Sequence, residues 1–530
     1  MSPLLLRRAR LGATVRDVLV EGGRVRAVAD DLSAGAPGLP VLPGGTEAVD
    51  LDGAALLPGL VDAHVHLDQW AAARRRIDVS AARSAREAAA LVARALASAA
   101  PPRGAVVLAQ GYRDALWAQP PDAAVLDAAL PGVPVVLSSG DLHSAWCSTA
   151  AVRRLGLDAP TGVVREHEAM EVFARAGEVD PAVLDGWVLE AAAAAAARGV
   201  TAVVDLEYGD LVTAWTRRAA LLPGGPPLRV RTGVWVDRLE QTIADGLRSG
   251  DPLPGIGDPV AADRVRMGPL KVFVDGSLGT RTAFCTHRYP GVAGAEAHGL
   301  LRTPPPELER LLRRGSSAGL DLAVHAIGDR AMSVALDGFA AAGCTGRIEH
   351  AQQVHPRDLP RFAELGVAAS VQPRHALDDR DAADQHWAGA TGWAFPYRSL
   401  VDAGAEVLLG SDAPVAPLDP WDGIAAAVHR SLDDRAAWHP EQHLDLDVAL
   451  AAASGGRRGV RVGQVADLVV VAELPAAVLA RAGVAGLRGT EVLGTLVAGR
   501  WTHRGGVLGG PTPGPVEGRV RAPGRQRAAS

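Results

Sequence analysis

Residues 56–67 read LLPGLVDAHVHL. An apolar run, Ala54–Leu57, meets Pro58-Gly59, resumes at Leu60-Val61 and then delivers Asp62, His64 and His66. Alternate residues of a strand face one side, so His64 and His66 project together while Val65 turns away. Two imidazoles at one strand end, with a carboxylate two residues earlier, make half a metal site. An isolated His-x-His is as often an accident of surface or core, so its meaning depends on what the rest of the chain supplies.

Downstream, short β-branched runs alternate with helical stretches: TAVVDLE (201–207), LRVRTGVWVD (228–237), PLKVFVDG (269–276), LDLAVHAIGD (320–329), GRIEHAQQ (346–353), GVAASVQPRH (366–375) and AEVLLGSDAP (405–414). With the His64 strand these make eight. Near-continuous apolar strands separated by helices predict a parallel sheet covered on both faces, and eight of them predict a closed α/β barrel of the TIM (β/α)8 type. Helices are expected over 305–317 and 357–365, and from Trp421 to about Ala453.

At 530 residues the chain exceeds the size at which one core stops growing, so a second unit is expected. The hairpin pattern VRDVLVEGGRVRAVA (15–29) and the runs 460–474 and 490–506 predict a small β-sandwich-like subdomain drawn from both chain ends. The expected organisation is a composite subdomain of 1–55 and 455–506, and a barrel domain over 56–454 with an insertion at about 70–195. The Pro/Gly/Arg-rich tail 507–530 is expected to be disordered. The insertion, with strands at 104–112 and 133–146 and helices at 83–99 and 181–198, is expected to cover a pocket.

Composition narrows the class. A net charge of −6 gives no electrostatic case for nucleic acid or an anionic membrane. No apolar run reaches transmembrane length, the N-terminus lacks a secretory core, and three scattered cysteines form neither a disulfide framework nor a Cys-x-x-Cys zinc site. A cytoplasmic protein is expected, with a small-molecule substrate. One count stands out: Lys271 is the only lysine, so arginine supplies 53 of the 54 Lys and Arg residues. Arginine stays protonated and cannot offer a neutral amine, whereas lysine can once its pKa is lowered. A lysine retained against that bias is a candidate for chemistry that arginine cannot do.

The strand ends then converge. Lys271 lies in the fourth barrel strand, His325 in the fifth, His350 in the sixth, and Asp412 closes the eighth. Such barrels gather catalytic groups at the C-terminal strand ends. The set suits two divalent ions: His64, His66 and Asp412 for one, His325 and His350 for the other. A carbamate formed on Lys271 from carbon dioxide would bridge them, and a bridging hydroxide would be the nucleophile, with Asp412 as general base and acid. Zinc is the expected metal, as two ions or as one in a mononuclear site with uncarboxylated Lys271. A catalytically silent, metal-binding regulatory barrel is the alternative outside enzymes.

Together the stretches PGLVDAHVHL, GVTAVVD, LKVFVDGSLGTRTA, LAVHAIGDRA, RIEHAQQV, ASVQPRH, LLGSDAPV and GQVADLVVV resemble the metal-dependent amidohydrolase superfamily, in particular the amidohydrolase 3 branch with its N-substituted formamide deformylase-like members. The resemblance covers most of residues 10–500. It implies a TIM barrel, a subdomain from both termini, hydrolysis of an amide-type C–N bond, and ligand roles for His64, His66, Lys271, His325, His350 and Asp412. Two departures are visible: AlaAlaSerGlyGly replaces the usual Tyr-Thr after the barrel, and the usual Asp-Gly-His of the insertion appears as Gly140-Asp141-Leu142-His143. His143, Arg281, Gln372, Arg374, Trp117 and Trp146 are expected near the substrate, and Asp62 is expected to orient a ligand histidine. Homodimers are common among such barrels, but no stretch here specifies one.

Overall fold

The computed structural model describes residues 2–32, 42–98, 106–176 and 179–509. Eight parallel strands follow one another in sequence order: β1 (Leu60–Val65), β2 (Val200–Asp205), β3 (Arg229–Trp235), β4 (Val265–Phe273), β5 (Leu322–Ala326), β6 (Gly346–His350), β7 (Val367–Val371) and β8 (Val407–Leu409). The sheet closes at its seam, where Val65 bridges Ala413 in parallel register just past the end of β8. Strands β5 and β7 are buried at every residue, which is why they read as apolar runs without alternation.

The 56–67 stretch crosses from one unit to the other. Ala55–Pro58 belongs to a separate sheet of eight strands, and β1 begins two residues later, with Gly59 as the joint. A Cβ at Gly59 would stand 2.2 Å from the Thr201 side chain, so only glycine lets the chain cross so close to β2. The separate sheet runs Arg500–Arg504, Val492–Val497, Leu468–Val471, Ala55–Pro58, Leu4–Leu11, Thr14–Glu21 and Arg24–Ala29, with Glu47–Asp50 alongside Leu4–Leu11. It is therefore built from both chain ends and has its own apolar core around Leu6, Val18, Leu468 and Leu496.

Between β1 and β2 the insertion folds into a five-stranded sheet of its own, ordered Val163–Arg165, Ser144–Cys147, Val135–Ser139, Val107–Tyr112 and Ile77–Asp78. The helix Pro305–Ser317 has the expected bounds. The expected run from Trp421 to Ala453 instead divides into helices Pro420–His429 and Leu446–Ala452, because the intervening RSLDDRAAWHP segment (430–440) holds Arg430 and His439 at positive φ. A helical segment at Pro475–Arg488, broken by a kink at Gly483 and lying between two strands of the composite sheet, was not expected. Of the predicted tail, residues 510–530 lie outside the described residues. Among the described residues no helix is long and apolar enough to cross a membrane, and all three cysteines are free.

Candidate metal centre

The seam between β1 and β8 builds the centre. Asp412 N–H donates to the His64 carbonyl at 2.7 Å, and His66 N–H donates to the Ala413 carbonyl at 2.9 Å. These two bonds set the ends of the first and last strands side by side. Asp412 has φ +58°, a left-handed backbone that a non-glycine residue adopts only where the surroundings over-determine it. Asp62 contributes at the seam as well, since Oδ1 accepts from the N–H of His64 (3.2 Å) and of Ser411 (2.9 Å). It thus holds the two strand ends rather than a histidine ring.

The imidazoles crowd the Asp412 carboxylate. His66 Nε2 lies 3.2 Å and His64 Nε2 3.5 Å from Oδ1, while His375 Nε2 and His350 Nδ1 lie 3.8 and 3.9 Å from Oδ2. Burial would raise the Asp412 pKa, but the neighbouring His64, His66 and His350 overcome it and hold the carboxyl well below its usual range. The ring of His350 sits 4.9 Å from that of His64 and 4.5 Å from that of His325, so the expected ligands of both halves meet in one cluster. Ligand atoms of His64, His350 and Asp412 all lie within 4.8 Å of one another, a spacing that a single cation can draw together.

Each ring is held by one nitrogen and leaves the other available. His64 Nδ1 lies 2.8 Å from Glu349 Oε2. Burial alone would raise the Glu349 carboxyl, yet the Arg347 charge and the hydrogen bond from His64 hold it well below its usual range. The carboxylate therefore accepts a hydrogen bond from Nδ1–H and leaves the lone pair on Nε2, on the side of Asp412. His350 Nδ1 pairs with Gln372 Oε1 at 2.9 Å, again leaving Nε2. His325 Nε2 donates to the Gly276 carbonyl at 3.2 Å, and its Nδ1 is buried without a partner. His66 Nδ1 is likewise buried without one. Burial and the nearby Lys271 charge keep His64 and His325 neutral, with His64 pushed down to about 4.

Lys271 is fully buried on β4, and Nζ makes no hydrogen bond. Its ammonium lies 5.1 Å from the centroid of Phe273, whose ring stacks on His325 at 4.2 Å. Burial lowers its pKa to about 8, with Glu349 and Asp412 resisting and Arg347 assisting. With a pKa near 8, about a tenth is the free amine at pH 7, the form that can react with an electrophile.

The residues expected near the substrate divide. His143, on the insertion, faces the barrel loops: its Nδ1 lies 3.0 Å from Glu166 Oε2, and Thr282 of the loop after β4 donates to Glu166 Oε1 at 3.0 Å. Arg281 lies in that same loop with φ +62°. Gln372 is buried and engaged with His350, and Arg374 pairs with Asp378 and Asp422. Trp146 is fully buried against Tyr112 and Trp117 inside the insertion.

Two groups escaped the reading of the sequence. Glu349 immediately precedes His350, and strand alternation by itself would turn it away from the centre. Asp275 follows β4 by two residues, yet it is buried, accepts the N–H groups of Phe284, Ile327 and Gly328, and lies 3.5 Å from His325 Nε2.

Comparison with known proteins agrees with this construction. The sequence profile of the amidohydrolase 3 group, described as the Amidohydrolase family, matches residues 47–503. Protein LONG AFTER FAR-RED 3 of Arabidopsis thaliana is 28% identical over 447 residues, covering 77% of this chain and 74% of that protein. N-substituted formamide deformylase of Arthrobacter pascens is 26% identical over 517 residues, covering 86% of this chain and 89% of that enzyme. The crystal structure of an uncharacterized metal-dependent hydrolase from Pyrococcus horikoshii superposes with a TM-score of 0.69 at 25% identity, covering 89% of this chain and 98% of that one. The chain belongs to the amidohydrolase family.

Proposed function

We propose that this protein hydrolyses an amide-type C–N bond, other than a peptide bond, in a small molecule. Water adds across that bond, so the acyl half leaves as a carboxylic acid and the nitrogen half as a free amine. His64, His66 and Asp412 would hold one divalent ion, His325 and His350 a second, and carboxylated Lys271 would bridge them, with zinc as the metal. The donor set suits zinc, being imidazole nitrogen and carboxylate oxygen. The orphaned buried nitrogens of His66, His325 and Lys271 suit it further, because buried polar atoms in folded proteins are nearly always satisfied. When bound, the ions polarise the scissile carbonyl and lower the pKa of ligated water to about 7.

The remaining chemistry belongs to the chain. The neutral Lys271 amine adds to carbon dioxide and releases one proton, and the carbamate so formed offers two oxygens for bridging. Asp412, ionised among its histidines, accepts the proton of the attacking water and passes it to the departing nitrogen. Glu349 and Gln372 hold His64 and His350 by their Nδ1 atoms. The insertion, joined to the loop after β4 through Glu166 and Thr282, would border the substrate site and carry substrate contacts from His143.

The observation that carries this reading is Lys271: the only lysine of the chain, fully buried, without a hydrogen bond, among the histidines of the centre. The test is metal content per chain together with turnover of N-formyl and N-acyl amines, in wild type and Lys271→Ala reconstituted with zinc and bicarbonate. Turnover in wild type, with about two ions per chain and the turnover both lost in the variant, is the expected result. Metal content and turnover both indifferent to Lys271 would establish the second reading, a mononuclear centre, which the close grouping of His64, His350 and Asp412 favours. Metal binding without turnover of any amide would instead mean a regulatory barrel. A cytoplasmic location and action on a free small molecule, with no nucleic acid or membrane partner, complete the proposal.

A further inference from the structure

The loop that follows β4 carries a second cluster of metal-ligating side chains, separate from the histidine centre. Cys285, His287 and Asp329 each offer a ligand atom, and these atoms all lie within 4.8 Å of one another. Cys285 and His287 flank Thr286 on the loop, whereas Asp329 opens the helix Asp329–Ala342 that follows β5. The three therefore join two segments that are more than 40 residues apart.

The cluster is held in place by bonds that leave its ligand atoms accessible. Thr286 donates its N–H to Asp329 Oδ1 at 2.7 Å and its hydroxyl to Oδ2, so the carboxylate is fixed while each oxygen keeps a second lone pair. Cys285 N–H donates to the His298 carbonyl, and Cys285 Sγ lies 3.5 Å from the Tyr289 hydroxyl. The decisive atoms are those of His287. Both ring nitrogens are sealed from solvent, and neither completes a well-formed hydrogen bond, the backbone of His386 being the neighbouring group. Ring nitrogens shut off from water in this way are uncommon in a native fold and call for a ligand. Burial also lowers the His287 pKa, which keeps the ring neutral and able to donate a lone pair.

We propose that Cys285, His287 and Asp329 bind a structural divalent cation of the zinc type, with water completing four-coordination. One thiolate, one imidazole and one carboxylate match the ligands zinc takes at about 2.3, 2.0 and 2.0–2.2 Å. A tetrahedron of those bonds has edges of roughly 3.3–3.8 Å, so the 4.8 Å limit closes with ångström-scale side-chain movement. Binding releases the thiol proton of Cys285, which burial otherwise retains. The cation staples the loop to the helix. Because Ser277 and Thr282 on this loop donate hydrogen bonds to Asp141 and Glu166 of the insertion, the staple also steadies the attachment of the insertion.

The experiment is reconstitution of the metal-free full chain with cobalt or zinc, in wild type, His287→Gln, Cys285→Ser and Cys344→Ser. The histidine centre contains no sulfur, so a thiolate-to-cobalt charge-transfer band in the near ultraviolet reports a cysteine site alone. The expected result is such a band in wild type and Cys344→Ser and its loss in the other two, with one zinc fewer per chain in those two. His287 is only partly buried, so His287→Gln remains informative if Cys285→Ser fails to fold. Wild type lacking the band, or a band that survives His287→Gln with zinc content unchanged, would overturn the proposal. The difference between wild type and variant is the same whether the histidine centre holds two ions, one or none.

Discussion

Glu349 Oε2 stands 2.8 Å from His64 Nδ1, with both side chains sealed from solvent, and its other oxygen stands 2.7 Å from Arg347 Nε. One carboxylate therefore orients a histidine of the centre and neutralises a buried guanidinium. Partners that fix the far nitrogen of a metal-binding histidine typically change metal affinity by about 10–100-fold. Glu349→Gln keeps the shape but loses the charge that draws the proton to Nδ1. The expected outcome is zinc affinity weaker by about 10–100-fold with the fold retained, read by competition with a chromophoric chelator. Glu349→Ala should in addition destabilise the chain, since Arg347 would remain as a largely buried charge without its partner. Unchanged affinity in Glu349→Gln would mean that His64 does not bind the metal through Nε2.

That relationship also shows where reading the sequence runs out. The eight strands were legible because each is an apolar run between breakers, and His64, Lys271, His325, His350 and Asp412 were legible because they end or line those runs. Glu349 was not, since adjacent strand residues face opposite sides and His350 had already been assigned inward. The conflict is resolved by φ +76° at His350 and +42° at Ala351, a local turn that no residue type announces. Asp275 stayed hidden for a different reason: its partners are backbone N–H groups from two distant segments, and backbone leaves no mark in side-chain pattern. The helical segment Pro475–Arg488 was not legible because strand-patterned runs flank it and Gly483 interrupts its helical period.

Lys271 makes a pH-dependent prediction for assembly. Only the neutral amine reacts with carbon dioxide, and its pKa near 8 lies below the ordinary lysine value because of burial. At fixed dissolved carbon dioxide, the rate of reactivation of metal-free enzyme by zinc should rise about tenfold from pH 6 to pH 7 and level off above pH 8. The measurement is the time course of recovered activity after mixing at each pH. A rate flat across that range would rule out lysine carboxylation as the slow step.

Gly410 tests the seam. It sits between β8 and Asp412, and a Cβ there would stand 2.8 Å from His64 N and 3.0 Å from His64 Cβ. Neither atom belongs to a flexible side-chain end, so the strands themselves must part. Gly410→Ala should cost about 1–3 kcal/mol of stability, read by denaturant unfolding. Its activity should fall more than that loss implies, because Asp412 moves with the strand. A variant with full activity and normal stability would show that the seam yields without disturbing the carboxylate.

The His143–Glu166 pair makes the last prediction, with opposite signs at its two ends. Burial would raise Glu166, but the hydrogen bond and charge of His143 prevail and hold it at about 2. Its contribution is therefore complete above the unfolded value of about 4.3 and is lost as pH falls through 2. Burial would lower His143, yet the Glu166 bond and the Asp141 and Glu166 charges raise it. Its contribution is complete below about 6.5 and is lost as pH rises through the elevated folded value. The attachment of the insertion to the loop after β4 should thus be firmest between about pH 4.5 and 6.5 and should loosen in alkali. The difference in melting temperature between wild type and Glu166→Gln, followed from pH 5 to pH 9, measures this directly. It should be largest at the acidic end and shrink with rising pH; a constant difference would mean that His143 is not the group that charges, and that Glu166 is held by Arg302 and Thr282 alone.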